Sequence, residues 1–231
     1  MDLYQIKLLK VEYSRARRMG LALKHIKGGN TVIDAQLNIG YESSSGFRDA
    51  FSKIMGTAPT RANHLILKAA WLDTKLGPMI AIADEQGLYL LEFIDRRGLE
   101  NEVKKLIKIL NAAIIPGETN ILKSIEFEIA DYFDQQKFVF NTPIHLIGSS
   151  FQNKVWNELR TIPPGETRSY LEIAKSINAP TACRAVARAN GANQLAIIVP
   201  CHRVINSNGE LGGYGGGIVR KQWLLEHEKI K

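Results

Sequence analysis

"VPCHRVIN", residues 199–206, sets a thiol, an imidazole and a guanidinium side by side directly after the apolar run "LAIIV", residues 195–199. A lone cysteine beside an apolar strand is most often a small buried hydrophobe. A cysteine used as a nucleophile needs a cation, a helix N-terminus or a hydrogen-bonded base to bring its pKa down from about 8.5. His202 and Arg203 are the adjacent candidates for activating Cys201. The surroundings favour the reactive reading. Pro200 reads as a strand break that leaves Cys201 exposed. "NSNGELGGYGGG", residues 206–217, is a glycine-rich loop with one aromatic, Tyr214, able to approach a flat ligand closely and cover its face. "WLLEHE", residues 223–228, then brings a carboxylate, Glu228, that can orient an imidazole.

Upstream, "TACRAVARANGAN", residues 181–193, is a helix in which Arg184 and Arg188 stand one turn apart among alanines. Small residues with exposed arginines let a helix backbone approach a phosphate chain closely. "SYLEIAKSI", residues 169–177, opens with the capping box Ser169–Glu172. "FQNKVWNELRTIPPGE", residues 151–166, is a helix stopped by Pro-Pro-Gly. A helix-turn-helix thus leads straight into Cys201.

The first sixty-odd residues read as wholly helical. "SRARRMGLALKHIKGG" spaces Met19, Leu23 and Ile26 near the helical period. "NTVIDAQLNIGYESSSGFRDAFSKIMGTAP" gives a short helix, a turn at Gly40 and a second helix opened by serines 43–45 and closed by Pro59. Ile33, Leu37, Ile39, Phe47, Phe51 and Ile54 are the expected core, which leaves Ser44, Ser45, Arg48, Asp49 and Lys53 outward. From Ala69 the pattern turns extended, with strands punctuated at Leu-Gly-Pro and Glu-Gln-Gly. Two amphipathic helices follow, "LENEVKKLIKIL" and "ILKSIEFEIADYF", and "NTPIHLIGSS" reads as a connector. That middle segment shows no cluster suggesting chemistry and reads as scaffold.

Bulk composition bounds the partners. The chain has 231 residues, 45% hydrophobic and 23% charged, and no apolar run near the roughly 20 residues of a membrane span. Its N-terminus carries charge where a signal peptide has its apolar core, so a soluble cytoplasmic protein is expected. The net charge of +7 divides into +5 for residues 1–66, −3 for 67–150 and +5 for 151–231. Two basic ends suit a polyanion, since phosphates bound by Lys and Arg release counterions. Two cysteines, Cys183 and Cys201, cannot make a four-cysteine zinc site, and His25, His64 and His145 are scattered, so no metal and no cofactor is expected. Cys183 reads as packing and His227 as surface.

"VPCHRVI", with Asn193 upstream and "GGYGGG" and "RKQWLLEHE" downstream, resembles the active-site region of the O6-alkylguanine-DNA alkyltransferases, and the likeness runs from about Phe151 to Glu228. Residues 67–150 resemble the family's RNase-H-like N-terminal subdomain. Residues 1–66, with "IGYESSSGFRDAF", resemble one helix-turn-helix of AraC-type regulators, an Ada-type order. The resemblance implies an α+β chain: a partial AraC-type module (1–66), an RNase-H-like α/β subdomain (67–150) and a helical, winged-helix-like catalytic domain (151–231).

It further implies a suicidal methylated-DNA–protein-cysteine methyltransferase acting as a monomer on double-stranded DNA that contains O6-alkylguanine, with O4-alkylthymine as the alternative lesion. Cys201 is then the alkyl acceptor, His202 activates it through a water, and Glu228 holds the imidazole. Asn193 fixes the active-site turn and contacts the base. Tyr170 assists base rotation and protonates the departing guanine, and Arg184 fills the gap in the duplex, with Arg188 beside it. Val204, Ile205, Asn206, Tyr214, Gly215 and Gly216 line the pocket, Gly215 standing where some members carry a hydroxyl residue. Ser44, Ser45 and Arg48 are the expected DNA contacts of the N-terminal module, and Arg203 supports the turn. Ada-type proteins also carry a four-cysteine zinc module, which two cysteines cannot supply. A transcription regulator and a lesion-binding protein without transfer are the alternative functions.

Overall fold

A computed structural model describes residues 18, 21, 22, 25, 26, 28–55, 65–135 and 137–229. Met19, Leu23, Pro59 and His64, and the side chains of Lys53 and Ile54, lie outside the described residues. The chain divides into two compact units, Met1–Ala70 with Val103–Thr119, and Trp71–Glu102 with Asn120–Lys231.

In the first unit, helices α1 (Val32–Asn38) and α2 (Ser44–Met55) are separated by a turn at Gly40, whose φ of 76° is left-handed and suits glycine. Thr31 caps α1: its Oγ1 accepts from the Asp34 backbone N–H while Asp34 returns the bond to the Thr31 N–H. Strand β1 (Leu65–Leu72) carries the boundary expected at residues 66 and 67 within it. Beyond α3 (Leu99–Leu110) comes a strand the sequence reading did not foresee, β4 (Ala112–Pro116), parallel to β1 from Leu65↔Ala112 to Ala69↔Pro116. The core of this unit joins Ala22, Ala35, Ile39, Phe47 and Phe51 to Ala113 and Ile115. Ile33 and Leu37 are not in it. Both are exposed, at 64% and 63%, because Ala35, Gln36 and Ile39 form the buried face of α1.

In the second unit, β2 (Met79–Ala83) and β3 (Leu88–Phe93) form an antiparallel pair with nearly every side chain buried. Helix α4 (Asn120–Phe133) buries Ile121, Leu122, Ile125, Ile129, Tyr132 and Phe133. Then come α5 (Ser150–Leu159), the two-residue strand β5 (Arg168–Ser169), α6 (Tyr170–Ser176), α7 (Cys183–Gly191), a 3-10 turn (Cys201–Arg203), β6 (Val204–Ile205) and α8 (Ile218–His227). The Ser169–Glu172 capping box starts α6. Among the described residues no helix is long and apolar enough to cross a membrane.

Candidate active site around Cys201

The run directly before Cys201 is not a strand, Leu195 making only an isolated parallel bridge to Leu91. Residues 195–199 form a chain of tight turns in which the Ile198 N–H donates to Ala196 O (2.9 Å) and the Cys201 N–H to Val199 O (2.7 Å). Pro200, with φ −80° and ψ 61°, sits at the centre of the second, an inverse γ-turn that a proline ring favours. Ile197 has φ 72°, a strained conformation for a β-branched residue, held by the turns on either side. Pro200 therefore launches the 3-10 turn rather than breaking a strand, and Cys201 is buried, with only 6% exposed.

Asn193 ties these turns together. Its Nδ2 donates to Val199 O (2.9 Å) and Leu195 O (3.3 Å) and lies 3.1 Å from Cys201 Sγ, and its Oδ1 accepts from the Leu195 N–H (3.0 Å). Burial pushes the Cys201 thiol up to about 11, against the hydrogen bond from Asn193. The resting sulfur is a neutral thiol that needs a base.

Behind it lies a buried base network. His202 Nε2 is 2.9 Å from Glu228 Oε1, and Glu228 also accepts from Arg203 Nε (2.7 Å), Arg203 Nη2 (2.8 Å) and Tyr132 Oη (2.8 Å). Burial favours the protonated Glu228, yet the bonds from His202 and Arg203 outweigh it and hold the carboxyl down at about 2. Because Arg203 already balances that carboxylate, His202 need carry no charge, and burial pushes the imidazole pKa down. A neutral imidazole donating Nε2–H to Glu228 leaves Nδ1 as an acceptor, and Nδ1 is buried with no protein partner. Arg203 is a structural cation: its Nη1 also donates to Ile162 O at 2.6 Å.

A cavity of about 340 Å³ opens onto Cys201, lined by Tyr170, Ala187, Asn190, Gly191, Gly213, Tyr214 and Gly215. Of the expected pocket residues, Tyr214 and Gly215 line it, while Val204, Ile205, Asn206 and Gly216 do not. Val204 and Ile205 instead form β6, which pairs in parallel with Arg168 and Ser169 and so fixes the 3-10 turn. Burial, then the nearby sulfurs, raises the Tyr170 pKa, so Tyr170 stays a neutral donor. Arg184 and Arg188 are exposed on α7, as are Ser44, Ser45 and Arg48 on α2.

Five residues escaped the sequence reading. Tyr132 holds Glu228, and Asn190 Nδ2 donates to the Cys201 carbonyl at 3.2 Å. Lys221 is fully buried and donates to Val204 O and Leu211 O, with its pKa lowered to about 8 by burial. Glu92 and Arg96, from the segment read as scaffold, form a buried pair at 3.3 Å; burial pushes the Glu92 carboxyl up to about 8, so at neutral pH Arg96 carries the charge that reaches Cys201. An acid inside the apolar strand "LYLLEF" was a readable signal, because a buried carboxylate needs a partner. His227 is also half-buried rather than superficial, its ring stacked on Trp223 and its Nε2 2.7 Å from Tyr132 O. Among the described residues no group of His, Cys, Asp and Glu converges as metal ligands.

Comparison with known proteins supplies the family. Residues 150–230 match the model of the 6-O-methylguanine DNA methyltransferase DNA binding domain. A methylated-DNA–protein-cysteine methyltransferase of Mycobacterium leprae is 41% identical over 158 residues, which cover 68% of this chain and 90% of that protein. The chain belongs to the methylated-DNA–protein-cysteine methyltransferase family. The crystal structure of Mycobacterium tuberculosis OGT in complex with DNA has the same mixed α/β fold, with a TM-score of 0.60 and 39% identity over 71% of this chain and 93% of that one. The bifunctional transcriptional activator/DNA repair enzyme Ada of Escherichia coli is 35% identical over 93% of this chain. The chain spans 60% of the length of Ada and 62% of a relative from Mycolicibacterium paratuberculosis.

Proposed function

We infer that this chain repairs DNA by a single-use transfer, moving the alkyl group of O6-alkylguanine in a duplex onto Cys201. One observation carries the reading: a buried thiol faces a cavity beside a neutral imidazole whose far nitrogen is fixed by Glu228. The alkyl carbon is out of in-line reach while the base is stacked, so the nucleotide is flipped into the cavity. Exposed Arg184 enters the gap it leaves. His202 Nδ1 takes the thiol proton through a water. The Sγ–carbon bond forms as the carbon–O6 bond breaks, and Tyr170 gives its proton to the departing guanine, which is a poor anion. The imidazolium proton then restores the phenol through solvent. Asn193 acts on the turn and on Sγ, its amide being already engaged there. The thioether has no easy leaving group, so each molecule acts once.

In this reading residues 151–231 form a winged-helix-like catalytic domain, residues 67–150 an RNase-H-like subdomain, and residues 1–66 a partial AraC-type module that adds DNA affinity through Ser44, Ser45 and Arg48. The protein works as a cytoplasmic monomer without a cofactor. The likeness to Ada across 93% of the chain supports a second, regulatory reading, in which that module recognises a promoter. A single helix-turn-helix contacts too few bases for strong specificity, so repair is preferred.

Intact-mass spectrometry after mixing with an O6-methylguanine duplex tests the main reading. One added methyl on the wild type and none on Cys201→Ala is expected. A methyl on the variant, or none on the wild type, overturns it. Methylation-dependent footprinting of one promoter would favour the regulatory reading instead.

A further inference from the structure

Gly215 stands in the cavity wall, and its backbone does not demand glycine, since its φ is not among the left-handed ones. What excludes a side chain is Arg96. A Cβ built on Gly215 would lie 2.7 Å from Arg96 Nε and 3.4 Å from both Cζ and Nη2, and these are the nearest atoms it would meet. A flexible arginine could step aside, but this one is pinned. It is 7% exposed, its Nη2 donates to Gly191 O at 2.9 Å, and its Nη1 pairs with Glu102 and lies 3.3 Å from Glu92. Gly191 is itself a lining residue, at the end of α7.

The guanidinium therefore touches two segments of the cavity wall, the end of α7 and the glycine loop, from a position just after β3. Its Nε edge takes the volume that a side chain at position 215 would occupy. Glu102 and Glu92 at Nη1 and the Gly191 carbonyl at Nη2 hold the plane from two of its nitrogens, which a lysine ammonium cannot reproduce. We propose that Arg96 is a positioning residue for alkyl transfer, setting the width of the cavity between Gly191 and Gly215 in place of a side chain at 215. It acts through those two glycines and does not touch the reacting atoms. The inference rests on the transfer reading above.

A double-mutant cycle tests it, with single-turnover methyl uptake from an O6-methylguanine duplex as the readout and rates normalised to the reactive fraction. Gly215→Ala is expected to slow uptake at least tenfold in the wild-type background. In Arg96→Ala, where the space is vacated, the same change should add less than threefold. Affinity for an undamaged duplex should change less than twofold in every variant, since the wall does not bear the phosphate contacts. Arg96→Ala also removes the positive charge beside Glu92 and Glu102, so Arg96→Lys provides a second cycle that keeps the charge but loses the planar fork. It too should relieve the penalty at 215. Equal Gly215→Ala penalties in all three backgrounds would overturn the proposal, as would undiminished uptake by Gly215→Ala alone. Absence of uptake by the wild type would instead reject the transfer reading, which separates the two failures.

Discussion

The molecule contains two short helix pairs, each joined by a turn, built to one local plan. In α1–α2, Thr31 and Asp34 form a capping box, Gly40 reverses the chain with φ 76°, and Arg48 stands exposed on the second helix. In α6–α7, Ser169 and Glu172 form the box, Asn178 turns the chain with φ 58°, and Arg184 and Arg188 stand exposed. What differs is the connection beyond each second helix. The face behind α2 is an apolar core with Ala113 and Ile115. Helix α7 is fastened by Trp156 Nε1 donating to Ala189 O at 2.8 Å, and Ala187, Asn190 and Gly191 line the Cys201 cavity. Local sequence makes the motif, and what its far face touches makes it chemical.

That contrast can be tested hardest at the thiols of the second motif. Cys183, the first residue of α7, is half-buried, whereas Cys201 is buried and pushed up to about 11. At pH 7 a small thiol reagent should modify Cys201 on the order of 100-fold more slowly than a free thiol, because the reactive thiolate is scarce. Peptide mapping should find Cys183 labelled first, with Cys201 labelling rising toward pH 11. Equal labelling of both at pH 7 would remove burial as the gate.

Acid should distinguish the two motifs next. Glu228 is held at about 2 against an ordinary 4.5. A carboxyl lowered by folding contributes stability above its unfolded pKa and loses it as pH falls through the folded one, here between about 4.5 and about 2. The contribution at neutral pH is on the order of 3 kcal/mol. Asp34, Glu42 and Asp49 of the first motif are exposed and belong to no such network. Hydrogen exchange on lowering pH from 5 to 3 should therefore open the amides around Cys201 before those of α1 and α2, and Glu228→Gln should flatten that pH dependence. Simultaneous opening of both regions would break the contrast.

On DNA, the exposed arginines should separate. If α7 faces the duplex at the lesion, Arg184→Ala should slow methyl uptake by roughly 10- to 100-fold, an effect of about 1–3 kcal/mol for a residue inserted at the target. Arg48→Ala should leave uptake within about twofold and weaken only the general affinity for DNA, as loss of one phosphate contact does. The reverse ranking in a single-turnover assay would assign the lesion to the first motif.

How far the sequence could be read follows the same line. Capping boxes, turn residues and the Cys-His-Arg run are local patterns, so both motifs, α3, α4 and the candidate nucleophile were legible. Ile33 and Leu37 misled because a short helix has apolar residues on more than one side, and only the partner, Ala113 and Ile115, decides which side is buried. Strand β4 was missed for a related reason: "AAIIP" is too short to declare itself without its parallel partner β1. Pro200 looked like a strand break because "LAIIV" is apolar. Whether such a run is strand or turn is settled by Asn193, a polar residue outside the run that donates to Leu195 and Val199. Tyr132 and Arg96 reach the site from 96 and 95 residues away in hydrogen bonds to Glu228 and Gly191, and no local pattern records such distances.

The smallest effect is the most discriminating, because it removes the same local feature from both motifs. Thr31→Ala and Ser169→Ala each delete an N-cap side chain, and each should cost about 1 kcal/mol of local stability. The loss at Thr31 ends there, since the bonds of its side chain go to Asp34 on the exposed start of α1. Ser169 is also the last residue of β5, paired with Ile205, and β6 follows directly on the turn that carries Cys201, His202 and Arg203. A loosened α6 start should therefore displace that turn and Tyr170, the next residue. The expected result is a methyl-uptake rate about twofold to fivefold lower for Ser169→Ala and unchanged for Thr31→Ala, at equal loss of cap stability. Equal uptake by both variants would mean that the β5–β6 pair does not transmit cap geometry to the thiol, and the two motifs would then differ only in which residues they happen to expose.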